Sequence, residues 1–308
     1  MPLDDSDQDI GQLAVGLWAN TGAGRMPAGV TLDTDLRDAC DRAVTLRSHA
    51  RQVFDFHAAF SDFQTRVEDC LTSDQDDGSS VALLRLRHQG THSGHGRYGA
   101  PTNKRALFRS VLELHLDGAD LTAATILLDN TALLGQAGLD VRHMANAAPA
   151  SALQPDRMDF HDSSPWGGVL AEVLTTAMDG DLSVLHRGYD PAVELLYPGQ
   201  AAAGPHQAER FWLSLRAALP TATFHVNTSL GQEDALTPPR AAAFWSLSGQ
   251  HDGWGRYGAP SGAAIRINGA TFAEFGPRGL RREWTIIDDL AVWRQISAFS
   301  TANCLSSG

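Results

Sequence analysis

Hydrophobic residues in the second half of the chain recur first at helical spacing and then in strand-like runs. An apolar face with three- and four-residue spacing follows Gly204 and predicts a helix. Its members are Ala208, Phe211, Leu215 and Leu219. An earlier helix is predicted from Ser163 to about Met178, since serine caps a first turn and Pro165 suits that turn.

Strand-like runs follow these helices at 221–230, 240–251, 263–275 and 280–287, and a short helix is expected to close the chain. Sequential strands joined by short turns pair as an antiparallel sheet. Helices that precede such a sheet pack on one of its faces. The pattern therefore predicts an α+β domain.

One hexapeptide, Gly-Arg-Tyr-Gly-Ala-Pro, occurs at residues 96–101 and again at 255–260. The same offset of 159 residues pairs identical histidines, aspartates and glutamines: His92 with His251, Asp129 with Asp288, and Gln136 with Gln295. A repeat of this length is a whole domain rather than a solenoid unit. We predict a diverged first copy at 1–145, a small-residue and proline linker at 146–157, and a better-kept second copy at 158–300.

The composition of the chain limits the classes of partner that the protein is expected to bind. Thirty-six acidic against 24 basic residues give a net charge of −12, which argues against nucleic-acid binding. No apolar stretch is long enough to cross a membrane, and the acidic start lacks the features of a signal peptide, so we expect a cytoplasmic protein. Cys40, Cys70 and Cys304 are odd in number and far apart, which predicts neither a disulfide framework nor a metal pair.

Two histidines are the first candidates for chemistry. Alternate residues of the run 84–92 are apolar until His88 and His92, and the run 243–251 ends the same way at His251. An inward histidine near the open end of a pocket can act as an acid or base near neutral pH. The alternative is a core histidine that is hydrogen-bonded to its surroundings.

Asp288 is the second candidate. It continues the strand face of Trp284 and Ile286, so it could meet a ligand beneath an indole wall. It also directly precedes the closing helix, where aspartate caps backbone N–H groups. Both readings stay open from sequence alone. His92 and His95 have HxxH spacing, but side chains three apart on a strand face opposite ways, so we predict no metal site.

Several short sequence segments, in their order along the chain, resemble those of the SnoaL-like polyketide cyclases. In the first copy, residues 90–94 and 99–102 are similar to that family's GTHxG and PPTG segments. In the second copy, residues 281–284 with Asp288 are similar to its EEWxxxD ending. Residues 188–191 and the pair Phe211-Trp212 resemble its early loop and its pocket-facing helix.

This resemblance implies two tandem cone-shaped α+β domains, each a curved antiparallel sheet wrapped around N-terminal helices over an apolar pocket. It also implies an intramolecular pseudo-dimer, with a further homodimer as an open alternative. The family's known members close a ring by an aldol reaction, using an aspartate and a histidine. In this chain Ile126 and Thr285 occupy the aspartate position, and Val111 and Ala270 occupy the histidine position.

The expected function is a cofactor-independent cyclase or isomerase that acts on a hydrophobic carbonyl or polyketide-like small molecule. His251, Asp288 and His92 are the candidate catalytic residues. The candidate binding residues are aromatic: Trp284, Tyr257, Trp254, Tyr189, Trp212 and Trp245. The alternative is a small-molecule-binding or scaffold protein without turnover.

Overall fold

A computed structural model describes residues 5–19, 27–39, 42–145 and 159–306. The chain divides into two compact units, Met1–Asp140 and Val141–Gly308, and each combines helices with one sheet. The α+β class and the tandem organisation are thereby confirmed. The linker predicted at 146–157 lies outside the described residues. Among the described helices, none combines the length and the apolar character needed to cross a membrane.

The first unit has a five-stranded sheet in the order β1-β5-β4-β3-β2. Neighbouring strands run antiparallel except β1, which pairs parallel to β5. Its elements are α1 (Asp5–Gly16), β1 (Val30–Arg37), α2 (Leu46–Ala59), β2 (Gln64–Asp74), β3 (Ser79–Thr91), β4 (Arg105–Asp117), β5 (Asp120–Leu128) and α3 (Asn130–Ala137).

The second unit has a seven-stranded sheet in the order β6-β9-β10-β11-β12-β7-β8. Its helices are α4 (Val141–Ala145), α5 (Pro165–Met178), α6 (Ser183–Gly188), α7 (Pro205–Ala218) and α8 (Asp289–Ser306). Its strands are β6 (Phe160–His161), β7 (Tyr189–Tyr197), β8 (Gln200–Ala203), β9 (Thr223–Gln232), β10 (Arg240–Gln250), β11 (Ala264–Gly276) and β12 (Gly279–Ile287).

The offset of 159 residues relates whole elements of the two units. It carries α2 onto α7, β4 onto β11 and β5 onto β12, residue for residue at both ends. It also carries the start of β1, Val30, onto the start of β7, Tyr189. The duplication therefore spans each unit and not only the hexapeptide.

The repeated glutamine explains how each closing helix is fixed to its sheet. Gln136 accepts from the Leu107 N–H at 2.8 Å and donates to the Leu107 carbonyl at 2.7 Å. Gln295 makes the same pair of bonds with the backbone of Arg266, each at 2.9 Å. A side-chain amide that satisfies both backbone groups of one residue anchors the helix at a fixed height.

A repeated glycine lets the loop after β3 or β10 approach the end of a helix. A Cβ atom at Gly94 would lie 1.8 Å from the Ala58 carbonyl oxygen, and one at Gly253 would lie 1.9 Å from that of Ala217. The Gly94 N–H instead bonds the Ala59 carbonyl at 3.0 Å, which satisfies a helix-end acceptor. Any larger residue would push the loop away.

Two elements differ from the sequence prediction. Residues 188–191 resembled a loop, but Tyr189 begins β7, which pairs parallel to β12. Pro191 is compatible with this strand because the register shifts between the pairs Leu280–Tyr189 and Arg282–Glu194, where no ladder bond is needed from proline. The closing helix, expected to be short, has 18 residues.

The core of the first unit holds a histidine, His88, between aromatic rings. Its ring centroid lies 4.6 Å from that of Trp18, 5.3 Å from Phe63 and 5.1 Å from Phe108. Hydroxyl groups of two neighbouring strands contact both ring nitrogens, at 3.0 Å and 2.7 Å. Burial lowers the pKa of His88 to about 3, so the ring is neutral at physiological pH.

We expect His88 to make the protein sensitive to acid. The unfolded state binds a proton below pH 6.5 that the folded state binds only near pH 3, so stability is lost as pH falls through that window, at up to about 1.4 kcal/mol per pH unit. His88→Leu, the residue at the equivalent position Leu247, should flatten this slope in urea unfolding between pH 7 and 5. The exposed His95→Leu is the control. Equal slopes in the wild type and His88→Leu would contradict the assignment.

Candidate functional site

A carboxylate lies in the middle of the second unit's core. Glu283, on β12, has no solvent-exposed surface. Its Oε2 accepts hydrogen bonds from the Tyr189 hydroxyl at 2.7 Å and the Tyr197 hydroxyl at 3.1 Å, both from β7. Its Oε1 accepts from the Thr285 hydroxyl at 2.6 Å. Parallel pairing of β7 with β12 is what sets the two tyrosines against this carboxylate.

Further hydrogen bonds lead away from Thr285 across the sheet. The Thr285 hydroxyl already donates its only proton to Glu283. In the 3.0 Å hydrogen bond between Thr271 and Thr285, the Thr271 hydroxyl must therefore be the donor. Thr271 accepts in turn from Trp245 Nε1 at 3.0 Å. The indole of Trp245 lies over Gly269, where a Cβ atom would come within 2.2 Å of the ring. The donors form a directed chain that ends on the carboxylate.

Trp212, on α7, completes what we call the Glu283 cluster: Glu283, Tyr189, Tyr197, Thr285, Thr271, Trp245 and Trp212. Its Nε1 is buried and meets hydrogen-bond geometry with no described atom. The indole N–H is still close enough to the Glu283 carboxylate to lower its pKa. A buried donor without an aligned partner costs about 1–3 kcal/mol and is free to bind an acceptor on a ligand.

Burial raises the pKa of Glu283, and the hydrogen bonds from Thr285, Tyr189 and Tyr197 oppose that rise without cancelling it. Burial and the nearby carboxylate also raise the pKa of both tyrosines well above the ordinary value, so they remain protonated donors. The contacts on Glu283 are hydroxyl groups rather than a cation. A carboxyl group held in this way can exchange a proton closer to neutral pH than an exposed one.

The first unit shows that the fold does not require this cluster. At the equivalent position, 159 residues earlier, Ala124 replaces Glu283. Val30 and Asp38 replace the tyrosines Tyr189 and Tyr197, and Ile126 and Leu112 replace Thr285 and Thr271. Leu86 and Val53 replace Trp245 and Trp212. Several of these belong to an aliphatic core, including Ala124, Leu86 and Leu112. Desolvating an ionisable group costs several kcal/mol, and apolar replacements are often as stable or more so. At this position the second unit bears the desolvation cost of a carboxyl group, whereas the first unit has an apolar residue.

The histidines predicted as catalytic have the same surroundings in both units. His251 Nδ1 lies 3.0 Å from the Ser261 hydroxyl, and His92 Nδ1 lies 3.2 Å from the Thr102 hydroxyl. Nε2 of each ring is buried and has no partner among the described residues. Burial lowers the pKa of both rings, so both are neutral near pH 7. Their duplicated geometry favours a shared structural role.

Asp288 starts the closing helix. The strand β12 ends at Ile287, and the Asp288 carboxylate accepts from the Ala291 N–H at 3.2 Å. Asp129 accepts from the Ala132 N–H at 2.8 Å in the first unit. Of the two interpretations open from sequence, these contacts favour helix capping.

Three of the six predicted aromatic residues belong to the Glu283 cluster and three lie outside it. Tyr189, Trp212 and Trp245 belong to the Glu283 cluster, whereas Trp284 lies on the opposite face of β12 because strand side chains alternate. The Tyr257 hydroxyl donates to Asp289 at 2.9 Å. Trp254 is 73% exposed.

Sequence reasoning missed Glu283 and Tyr197. Glu283 shares its face of β12 with Arg281 and Thr285, whereas the other face carries Leu280, Trp284 and Ile286, so alternation favoured the wrong face as the inner one. A signal was present in the repeat, since a carboxylate in one copy aligns with Ala124 in the other.

The first unit also has an open depression of about 650 Å³, lined by α1 and by the turns that follow β2 and β4. Its charged lining consists of the carboxylates of Asp9, Asp74 and Asp120. All three carboxylates are exposed to solvent, unlike that of Glu283. The Glu283 cluster is therefore the stronger candidate.

The raised pKa of Glu283 predicts how stability varies with pH. Above pH 4.5 the unfolded chain releases this proton while the folded state keeps it, so stability falls as pH rises through the folded pKa, by up to about 1.4 kcal/mol per pH unit. Glu283→Gln cannot ionise and should lack this fall. The measurement is urea unfolding from pH 4.5 to 8.

Glu194→Gln is the matched control, because Glu194 lies on the neighbouring strand with a side chain 60% exposed. The difference in free energy of unfolding between Glu194→Gln and the wild type should vary much less with pH than the difference between Glu283→Gln and the wild type. If wild type and Glu283→Gln keep a constant difference across the range, the raised pKa is wrong.

Comparisons with known proteins give structural matches only. No family model and no curated protein sequence matches the chain. A putative SnoaL-like polyketide cyclase from Jannaschia sp. CCS1 is 22% identical, with 44% of this chain and 97% of that chain covered at a TM-score of 0.37. A putative polyketide cyclase from Acidithiobacillus ferrooxidans is 20% identical, with coverages of 44% and 95% and a TM-score of 0.36.

A SnoaL-like polyketide cyclase from Agrobacterium tumefaciens is 20% identical, with coverages of 43% and 98% and a TM-score of 0.35. Each of these proteins is covered almost completely while it covers less than half of this chain. Two of these three proteins are described as SnoaL-like polyketide cyclases and the third as a putative polyketide cyclase.

Proposed function

We propose that the second unit is a small-molecule site in which Glu283 transfers protons to and from an apolar carbonyl compound, without a cofactor. The observation that carries the proposal is the buried carboxyl of Glu283, present in one copy of a duplicated fold and replaced by Ala124 in the other. Buried ionisable groups with shifted pKa values concentrate at functional sites.

The chemistry follows from the groups in the cluster. The Glu283 carboxylate takes a proton from the carbon next to a carbonyl group, and the electron pair of that C–H bond moves to form an enolate. The Trp212 N–H stabilises the enolate oxygen, while the two tyrosine hydroxyls stay bonded to Glu283. Return of the proton to another carbon gives an isomerase. Attack of the enolate on a second carbonyl closes a ring, and the proton held by Glu283 passes to the new alkoxide oxygen.

The lining supports an apolar substrate. Side chains of Tyr189, Tyr197, Trp212 and Trp245 surround the carboxylate, and such a site favours a ligand with extensive apolar surface and few polar atoms. In the resembled family the acid/base aspartate falls at Thr285. Glu283 lies two residues earlier on the same strand face, so the chain offers a carboxylate from a neighbouring position.

The cluster is closed to solvent. Its aromatic members are at most 3% exposed, and the ring of Tyr197 stacks on Phe211 with centroids 3.9 Å apart. A ligand must therefore displace part of this packing to reach Glu283. Helix α7, which carries Phe211 and Trp212, is the element whose movement would open the site.

Closure also favours the second candidate function, binding without turnover. Both oxygens of Glu283 are already hydrogen-bonded, as in a cluster that only shapes a binding site. The two functions differ in their response to Glu283→Gln. In this variant a catalyst loses turnover but keeps its ligand, whereas a protein that only binds shows no turnover in either form and keeps its ligand.

Hydrogen–deuterium exchange tests the proposal without knowledge of the natural substrate. We expect the wild-type chain in D₂O to catalyse deuterium incorporation next to the carbonyl of some members of a panel of apolar ketones and β-keto esters, read by mass spectrometry. Glu283→Gln should reduce this rate by at least about 100-fold, as loss of a general base does. Glu194→Gln should match the wild type.

Asp288→Asn separates the Glu283 cluster from the candidates predicted by sequence, because asparagine caps a helix as well as aspartate does. We expect this variant to retain exchange. If Asp288→Asn abolishes exchange and Glu283→Gln does not, the site lies at Asp288. If no ketone exchanges but one binds to wild type and Glu283→Gln alike, the protein binds without turnover.

A further inference from the structure

Three potential metal ligands meet where α6 packs against α7. His186 is in the last turn of α6, and His206 and Glu209 are one turn apart at the start of α7. One ligand atom from each lies within 4.8 Å of the others. No short motif predicts this group, because the two histidines lie 20 positions apart in the chain.

The spacing of these atoms matches what a tetrahedral ion requires. His186 Nε2 lies 3.0 Å from Glu209 Oε2, and His206 Nδ1 lies 3.5 Å from the same oxygen. Zinc bonds of about 2.0–2.2 Å to nitrogen and oxygen at tetrahedral angles set ligand atoms about 3.3 Å apart. The third separation, between the two imidazole nitrogens, is at most 4.8 Å, and the His206 ring, 85% exposed, has room to turn.

The charges also suit a cation. The Glu209 carboxylate lies against both imidazoles and supplies the negative charge of the group. Arg187, which directly follows His186, bonds Asp181 at 3.0 Å. His206 is 85% exposed, which leaves the site accessible to an ion from solvent and one coordination position open to water.

We propose that His186 Nε2, His206 Nδ1 and Glu209 Oε2 bind a divalent transition-metal ion of the zinc class, which bridges α6 and α7. Two imidazoles and a carboxylate form a set that zinc accepts with water as fourth ligand. The first unit lacks the site, since Pro27, Arg47 and Ala50 occupy the equivalent positions. The ion would hold together the helix that leads into Tyr189 and the helix that carries Trp212.

Cobalt(II) and zinc titrations of the tag-free full chain test this proposal. We expect one equivalent of Co²⁺ to give visible d–d absorption typical of four-coordination, and Zn²⁺ to displace it and to raise the Tm of the wild type. His206→Ala should remove the absorption and the Tm shift. It should also weaken zinc binding by at least about tenfold, since even groups that only support a ligand have that effect.

Two further variants decide whether the loss is specific. Glu209→Gln keeps the shape of the side chain but removes the anionic ligand, so it should behave like His206→Ala. His225→Ala is the matched control, because His225 contacts a carboxylate, Asp159, at 2.7 Å and belongs to no three-ligand group among the described residues. Saturable binding that is equal in the wild type, His206→Ala and Glu209→Gln would overturn the site, as would no binding by the wild type at millimolar zinc.

Discussion

The placement of one carboxylate in a dry core governs the polar contacts inside the second unit. Water solvates an ionised carboxylate so well that its transfer to an apolar interior costs several kcal/mol. The surrounding strands reduce that cost by aiming three hydroxyl groups at Glu283, two from β7 and one from β12. This requirement explains features that otherwise look unrelated. Thr271 and Thr285 lie opposite each other on adjacent strands, and Gly269 leaves room for the indole of Trp245.

Duplication within one chain separates architecture from chemistry. Residues that both copies keep have the same contacts in both: Gln136 and Gln295 fix the closing helix, and Asp129 and Asp288 cap it. Such residues are explained by the fold. Glu283 and its partners belong to one copy alone, where the fold does not need them. Copy-specific polar groups are therefore better evidence for a site than the repeated ones. His88 shows the limit of this rule, since hydroxyl groups contact both of its nitrogens and its low pKa keeps it neutral.

Much of the fold could be predicted from sequence, because the hexapeptide fixed the offset and the apolar periodicity of α7 and of the strands was clear. The strand β7 was not predictable from its pattern, since Pro191 suggested a loop and only the register shift shows how a strand accommodates it. The inner face of β12 was not predictable from its pattern either. The face of Glu283 also carries Arg281 and Thr285, so its polar pattern suggested an outward-facing side chain. The proximity of His186 to Glu209 also could not be predicted from their positions in the chain.

The ionisation of Glu283 is the central claim, and ¹³C NMR of chain labelled at the glutamate Cδ measures it directly. Comparison with Glu283→Gln assigns the resonance. The account predicts that this carboxyl titrates above 4.5, the ordinary value for glutamate, and apart from the exposed glutamates. A Glu283 resonance that titrates at or below that value would show that its hydroxyl partners outweigh burial, and the proposed proton-transfer role would fail with it.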